Sequence, residues 1–272
     1  MSWLEVHVFG SSSKGEGLIL KLPDSRFAVV DCCFRGDISD VAGNPMVAYL
    51  EKRNVKRLAF ICLTHPHDDH YFGLSQILAT TPADQFFRSA AMTPLRLQSI
   101  LLTEKFHALQ HGDTGRQRAL RELLAIDAKW KEISKGKSQE RVLANLHVYP
   151  SKLPKTPSFK ITGLSPCDAE IDAYEAALPK STESGTPIGE SFELPHNRIS
   201  VGLLIECRKF NLVLGGDVEK KNWEFVLTEF KPKRLCSRFV KISHHGSEVD
   251  KNRPWPTGCS IDTVRETRAN RT

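Results

Sequence analysis

The sequence predicts an α/β fold, and three observations support this prediction. Strand patterns alternate with helical patterns along the 272 residues. Hydrophobic residues make up 40% of the chain, which is enough for a substantial core. Several of the expected strands end in histidine or aspartate, a pattern typical of a site at one edge of an α/β sheet. We therefore expect residues 1–272 to form a single domain.

The N-terminal part of the chain is predicted to contain four strands and two helices. The strands are short apolar or alternating runs bounded by turn residues, and they occupy 4–9, 18–22, 27–31 and 58–63. Residues 45–54 have a helical apolar face that includes Met46, Val47 and Leu50. A second helix is expected to begin near Tyr71.

The middle of the chain is predicted to hold a helical insertion, at about residues 85–145. Helical periodicity runs through 92–145, with breaks near Gly112 and Gly136. Further strands are expected at 146–149, 159–164, 199–206, 212–214 and 239–243, with a helix at about 220–230. A loop rich in serine, threonine, proline and glycine fills 179–195.

The C-terminal segment 248–272 is predicted to be poorly structured. Its last stretch is polar, with Ile261 and Val264 as its larger apolar residues, and it cannot supply a buried strand. A sheet edge left open here would favour association with a protein partner or a second copy of the chain.

The composition narrows the class of protein. A net charge of +6 is compatible with an anionic substrate but is too small by itself to indicate nucleic-acid binding. Much of the basic excess lies between Arg88 and Arg141, where a solvated helix face is the favoured interpretation. No stretch approaches the ~20 apolar residues of a membrane helix, and no signal peptide is evident. The seven cysteines form no CxxC pair, which favours a reducing cytoplasm and argues against disulfides or a thiolate zinc site.

A cluster of metal-ligand residues follows the apolar strand 58–63. His65, His67 and His70 lie within six positions, together with Asp68 and Asp69. Histidine and carboxylate are the ligand types for Zn²⁺ and its neighbours in the first transition row. Three further candidates adjoin later strands, and we expect them to converge on the same edge: His196, Asp217 and the pair His244–His245.

The ordered set of motifs resembles the metallo-β-lactamase fold superfamily. Residues 65–70 fit its HxHxDH signature, and His196 precedes Asp217 by the spacing that the family shows. The element 244–247 (HHGS) and the strand end at Asp31 are most similar to the ComEC-like competence branch. The resemblance covers roughly residues 3–80 and 159–247.

This resemblance implies an αββα sandwich with two divalent metal ions. It also implies a shortened C-terminus, because in the family a further helix and strand follow the HHGS element. Zn²⁺ is favoured, although Mn²⁺ and Fe²⁺ also fit nitrogen and oxygen ligands. By the resemblance, Asp217 would bridge the ions and Asp31 would orient a ligand histidine. The first ion would be held by His65, His67 and His196, and the second by Asp69, His70 and His244 or His245.

The resemblance also implies a hydrolase that uses a metal-bridging hydroxide. Asp69 is expected to act in catalysis as well as in binding; His244 is favoured as the ligand of its pair and His245 as a donor to developing negative charge. Phosphodiester bonds, in DNA or RNA, are the favoured substrate class. The alternatives are an esterase, thioesterase or lactonase acting on small molecules, or a truncated or partner-dependent module without activity.

Overall fold

The structure is a computed structural model that describes most of the chain. The described residues are 3–10, 15–37, 39–93, 96–97, 100–101, 114–135, 140–153, 157–178, 194–207 and 210–241. They form two β-sheets with helices packed on their outer faces. Residues His244 and His245 and the segment 248–272 lie outside the described residues, and so do the predictions made for them.

The first sheet contains six strands in the order of the chain. They are β1 (Glu5–Gly10), β2 (Glu16–Lys21), β3 (Phe27–Val30), β4 (Leu58–Leu63), β5 (Ala83–Ser89) and β6 (Glu140–Val142). β1, β2 and β3 pair antiparallel, whereas β3 to β6 pair parallel. Every residue of β4 is buried, as expected for a parallel strand that is covered on both faces.

The second sheet contains five strands in the order β11-β10-β9-β8-β7. They are β7 (His147–Tyr149), β8 (Phe159–Ser165), β9 (Gly202–Cys207), β10 (Phe210–Leu214) and β11 (Phe239–Lys241). Most neighbours pair antiparallel, and β10 and β11 pair parallel. Parallel pairing places the ends of β10 and β11 at one edge, where Asp217 follows shortly after β10.

Helices surround the two sheets. They are α1 (Pro45–Lys52), α2 (Asp68–Tyr71), α3 (Leu74–Thr80), α4 (Thr114–Ser134), α5 (Asp168–Ala177), α6 (Lys220–Glu229) and α7 (Pro232–Leu235), with a 3₁₀ turn at His196–Ile199. The start of α1 follows the usual rules: Asn44 accepts from Met46 N at 3.0 Å, and Pro45 occupies the first turn.

Three apolar clusters give the order of the layers. One fills the space between the sheets, for example with Phe60 from β4 and Ile205 from β9. A second joins the first sheet to α1, α3 and α4. The third joins the second sheet to α6 through Trp223 and Val226. The α/β prediction is confirmed, and the layers follow the helix–sheet–sheet–helix order of an αββα sandwich.

The predicted insertion of residues 85–145 differs from the structure at both ends. β5 and β6 lie inside that range and belong to the first sheet, so the helical part is narrower than expected. Arg88, counted with a basic surface, lies at the end of β5 and is buried, and burial lowers its pKa to about 10. The sequence ADQFFRS has no clear alternation, which is why β5 was missed.

Two further findings concern the helices and the cysteines. Across the described ranges, no helix is both long enough and apolar enough to cross a membrane. Cys32, Cys33, Cys62, Cys167 and Cys207 are free, as the sequence predicted. Cys236, however, is disulfide-bonded, and the expectation that the cysteines stay unpaired is wrong for this residue.

Candidate metal centre

Three side chains from separate segments meet at one edge of the molecule. His65 lies just after β4, His70 lies in α2, and Asp217 follows β10. One ligand atom from each lies within 4.8 Å of those of the other two, and all three residues are buried. The predicted convergence of strand ends therefore occurs for these residues.

Contacts within this group are short. The rings of His65 and His70 have centroids 4.3 Å apart, and His70 Nε2 lies 3.4 Å from Asp217 Oδ1. Asp69 Oδ1 lies 3.8 Å from the same nitrogen of His70. Two carboxylates thus face the same imidazole nitrogen, an arrangement in which a cation could bind between them.

His67 and Asp69 form the exposed side of the centre. His67 Nδ1 lies 3.2 Å from Asp69 Oδ1, and the His67 side chain is 53% exposed, whereas the side chain of His70 is 0% exposed. His67, Asp68 and Asp69 also have ligand atoms within 4.8 Å of one another. The centre therefore opens to solvent at the start of α2.

His196 lies beside this exposed side and is buried. Its ring centroid is 6.4 Å from that of His67, and its Nδ1 lies 3.0 Å from the hydroxyl of Tyr174. The contact with Tyr174 fixes the ring from α5 and directs the other nitrogen away from that helix. Tyr174 was not predicted from the sequence, because nothing in its local pattern marks it.

Asp31 holds the buried ligands in place. One oxygen accepts from the Thr64 backbone N at 2.8 Å, and the other lies 2.7 Å from the Thr64 hydroxyl and 2.8 Å from His70 Nδ1. Its backbone is left-handed, with a φ of 57°, a strained conformation of the kind found at functional sites. Asp31 thus contacts the predicted ligand histidine His70 through its other ring nitrogen.

Two hydroxyl groups fix His65 and Asp217. The Thr64 hydroxyl lies 3.0 Å and the Ser200 hydroxyl 3.4 Å from His65 Nδ1. The Ser200 hydroxyl also accepts from the Asp217 backbone N at 2.8 Å. The remaining His65 nitrogen, Nε2, is buried and has no hydrogen-bond partner within the described ranges. A buried imidazole nitrogen in this state fits a metal ligand, because leaving it unbonded would be costly.

The charges around the histidines differ from one ring to the next. Burial, together with the neighbouring His70, holds the pKa of His65 well below its usual value. Burial acts in the same direction on His70, but Asp31 and Asp217 outweigh it and raise its pKa well above the usual value. The hydrogen bond to Asp69 raises the pKa of His67. His65 is therefore neutral, as a metal ligand must be.

Lys241, at the end of β11, contacts the same centre and was missed by the sequence analysis. Its Nζ donates to the Gly216 carbonyl at 3.0 Å, lies 4.0 Å from Asp217 Oδ1, and forms an ion pair with Glu16 of β2. This ion pair joins β11 of the second sheet to β2 of the first. A lysine that continues an apolar strand gives no sequence signal for such a role.

One comparison with known proteins covers part of this site. A sequence model described as "Metallo-beta-lactamase superfamily" matches residues 18–97, which include most of β2, all of β3 to β5 and the histidine cluster. A solved metallo-β-lactamase from Cronobacter sakazakii, a HARLDQ motif mutant, is similar over 86% of this chain and 75% of its own, with 10% identity and a TM-score of 0.39. No curated protein matches the sequence. The family match supports similarity to this superfamily and suggests a metal-dependent hydrolase.

Proposed function

We propose that the protein is a two-metal hydrolase that cleaves phosphodiester bonds. The observation that carries this proposal is the buried group of His65, His70 and Asp217, whose ligand atoms lie within 4.8 Å of one another. All the donors are nitrogen or oxygen, which fits Zn²⁺, Mn²⁺ or Fe²⁺.

The ligands divide into two sets in this proposal. His65, His67 and His196 would hold one ion, and Asp69, His70 and His244 would hold the other. Asp217 would bridge the two ions, since it lies against His70 in the buried group. His244 and the neighbouring His245 lie outside the described residues, so their part in the proposal comes from the resemblance alone.

The chain's own residues would orient this chemistry. When bound, the metal ions supply a water of lowered pKa and polarise the oxygen of the scissile group. Asp31 fixes His70 through Nδ1, and Tyr174 does the same for His196. Outer contacts of this kind typically change metal affinity or activity by about 10–100-fold when they are removed.

The substrate class is proposed from charge. The chain has a net charge of +6, and Arg35 binds Asp68 next to the exposed ligands. Cationic groups such as Arg35 beside a metal centre favour an anionic group such as a phosphodiester. Thioesters and lactones are neutral at the reacting group and would gain nothing from it.

A substrate panel tests this proposal. Zinc- and manganese-loaded protein would be assayed with bis-p-nitrophenyl phosphate, single-stranded DNA, a thioester and a lactone. We expect turnover of the two phosphodiesters that EDTA abolishes. Preferred turnover of the thioester or lactone would instead identify a small-molecule esterase.

Two matched variants control the panel. Asp69→Ala should abolish turnover, because it removes a carboxylate at the centre. Asp172→Ala removes an exposed aspartate of α5 and should leave turnover unchanged. Equal activity of the two variants would overturn the proposal.

A further inference from the structure

A stack of two arginines and one phenylalanine lies at the open side of the candidate metal centre. Phe72 follows α2 directly and is buried. The guanidinium of Arg35 lies 5.6 Å from the centroid of its ring, and that of Arg118 lies 5.0 Å from it. Both distances are within the range of a cation–π interaction. The ring thus holds two cationic groups close together.

Arg35 places this stack next to the exposed ligands. Its Nη1 and Nη2 each lie 3.3 Å from a carboxylate oxygen of Asp68, the residue between His67 and Asp69. The side chains of Arg35 and Asp68 are 40% and 38% exposed. A substrate that reaches the centre through its exposed side therefore passes the Arg35 guanidinium.

Arg118 is held there by the long helix α4. Its Nη2 donates to the carbonyl of Arg35 at 3.0 Å and also to the carbonyl of Gly36. One turn later on the same helix face, Glu122 accepts from the Gly73 and Ser75 backbone N–H groups at 3.1 and 2.9 Å. The helix is thus fixed to the segment that follows the ligands, and Arg118 has a defined position.

The Arg35–Asp68 pair is easily exchanged. Contacts of 3.3 Å are long for a charge-assisted hydrogen bond, and both side chains are partly exposed. Exposed ion pairs of this kind contribute little to stability, so an incoming anion can replace the carboxylate. Asp37 is exposed, and its carboxylate accepts from the backbone N and the hydroxyl of Ser39.

We propose that Arg35 and Arg118 form a phosphate-binding subsite for the group next to the scissile phosphodiester. This proposal deepens the proposed function and rests on it for the identity of the ligand. It also gives the helix α4 a role. The helix supplies the Arg118 guanidinium, which donates to the backbone carbonyl of Arg35 and so helps to fix the second cation. The shared chemistry is a phosphodiester anion, from a nucleic acid or from a small diester.

Equilibrium binding tests the subsite without turnover. Fluorescently labelled oligothymidylate would be titrated with the full chain in EDTA over a range of salt concentrations. We expect Arg35→Gln and Arg118→Gln each to weaken binding about 5–10-fold. The slope of log affinity against log salt should fall by about 0.7 for each lost phosphate contact on a single strand.

Matched variants separate charge from packing. Arg121→Gln removes an exposed arginine of the same helix and should bind like the wild type. Arg118→Lys keeps the charge and should restore most of the binding, which a purely structural role would not explain. Binding by Arg35→Gln and Arg118→Gln equal to that of Arg121→Gln would overturn the subsite.

Kinetics distinguish this proposal from the proposed function. On bis-p-nitrophenyl phosphate and on an oligonucleotide, Arg35→Gln should raise KM and leave kcat within about twofold, a loss of binding shared by ground and transition states. A larger effect on the oligonucleotide identifies nucleic acid as the source of the phosphate, and an equal effect identifies a small diester. A wild type that cleaves no phosphodiester would overturn the proposed function, while the binding titration would still decide the subsite.

Discussion

The inner and outer halves of the candidate metal centre are built differently. The inner half, defined as His65, His70 and Asp217, is buried, and each member is fixed by a hydrogen bond from outside the group. The outer half, defined as His67 and Asp69, is joined by a contact of 3.2 Å between His67 Nδ1 and Asp69 Oδ1, and the His67 side chain is 53% exposed. The fold therefore fixes the inner residues by buried contacts of its own, whereas His67 lies at the surface.

The largest expected effect comes from the residue that fixes the inner half. Asp31→Ala removes the acceptor of the Thr64 and His70 contacts and leaves the buried His70 ring and two Thr64 donors without this partner. Breaking a buried pair in this way costs about 3–5 kcal/mol. Urea unfolding of the metal-free variant measures this free energy. A loss below about 1 kcal/mol would show that the inner half is not preorganised by Asp31.

A smaller loss of unfolding free energy is expected for a substitution in the turn that carries Asp217. Gly216 has a φ of 51°, and a Cβ there would lie 2.7 Å from Ser200 Oγ and from the Val201 carbonyl oxygen. Gly216→Ala should therefore cost about 1–3 kcal/mol through backbone strain, and it should displace the Ser200 hydroxyl that bonds Asp217. The free energy of unfolding, measured by chemical denaturation, and the affinity for zinc should both fall. An unchanged zinc affinity would show that the conformation of this turn does not influence metal binding.

The link between α4 and the ligand segment predicts a dependence on pH. Burial raises the pKa of Glu122, although the Ser75 and Gly73 contacts oppose this shift. A raised carboxyl pKa in the folded state means that the Glu122 contribution is greatest below the usual pKa and declines as pH rises through the folded value.

Glu122→Gln removes that decline. We expect the unfolding free energy of the variant to be about 1–3 kcal/mol lower, because buried hydrogen bonds are lost. The difference from the wild type should narrow as pH rises from acid towards neutral. Unfolding midpoints of both proteins across that pH range measure this difference. A difference that widens with pH would mean that the carboxylate form is the stabilised one.

The smallest effect on stability is expected in the outer half. His67 is exposed, so His67→Ala should change the unfolding free energy of the metal-free protein by less than about 0.5 kcal/mol. The same substitution should lower metal affinity, since it removes a proposed ligand. A loss of stability equal to that of Asp31→Ala would contradict the distinction between the two halves.

The sequence was enough to find the candidate ligands that follow strands. The HxHxDH cluster and Asp217 were predicted from residue type and position, and the structure brings His65, His70 and Asp217 together. Asp31 was predicted as a residue that orients a ligand, and it contacts His70. These residues have local signals, because each directly follows or closely adjoins an apolar strand.

The rest of the site depends on tertiary contacts. Tyr174 and Ser200 reach the ligands from distant segments, and Glu122 reaches the segment after them, without any local pattern that marks them. β5 was missed because its sequence does not alternate, and Arg88 was assigned to a solvated surface although it is buried. Charge counted along a sequence cannot show which side chains the fold covers.

Metal stoichiometry tests the central claim most directly. The wild type, loaded with zinc and freed of excess metal, should contain two equivalents per chain by elemental analysis, and it should hydrolyse bis-p-nitrophenyl phosphate. Asp217→Ala, which removes the proposed bridge, should hold at most one equivalent and lose turnover. A wild type that binds no metal, or an Asp217→Ala variant with full stoichiometry and full activity, would contradict the account.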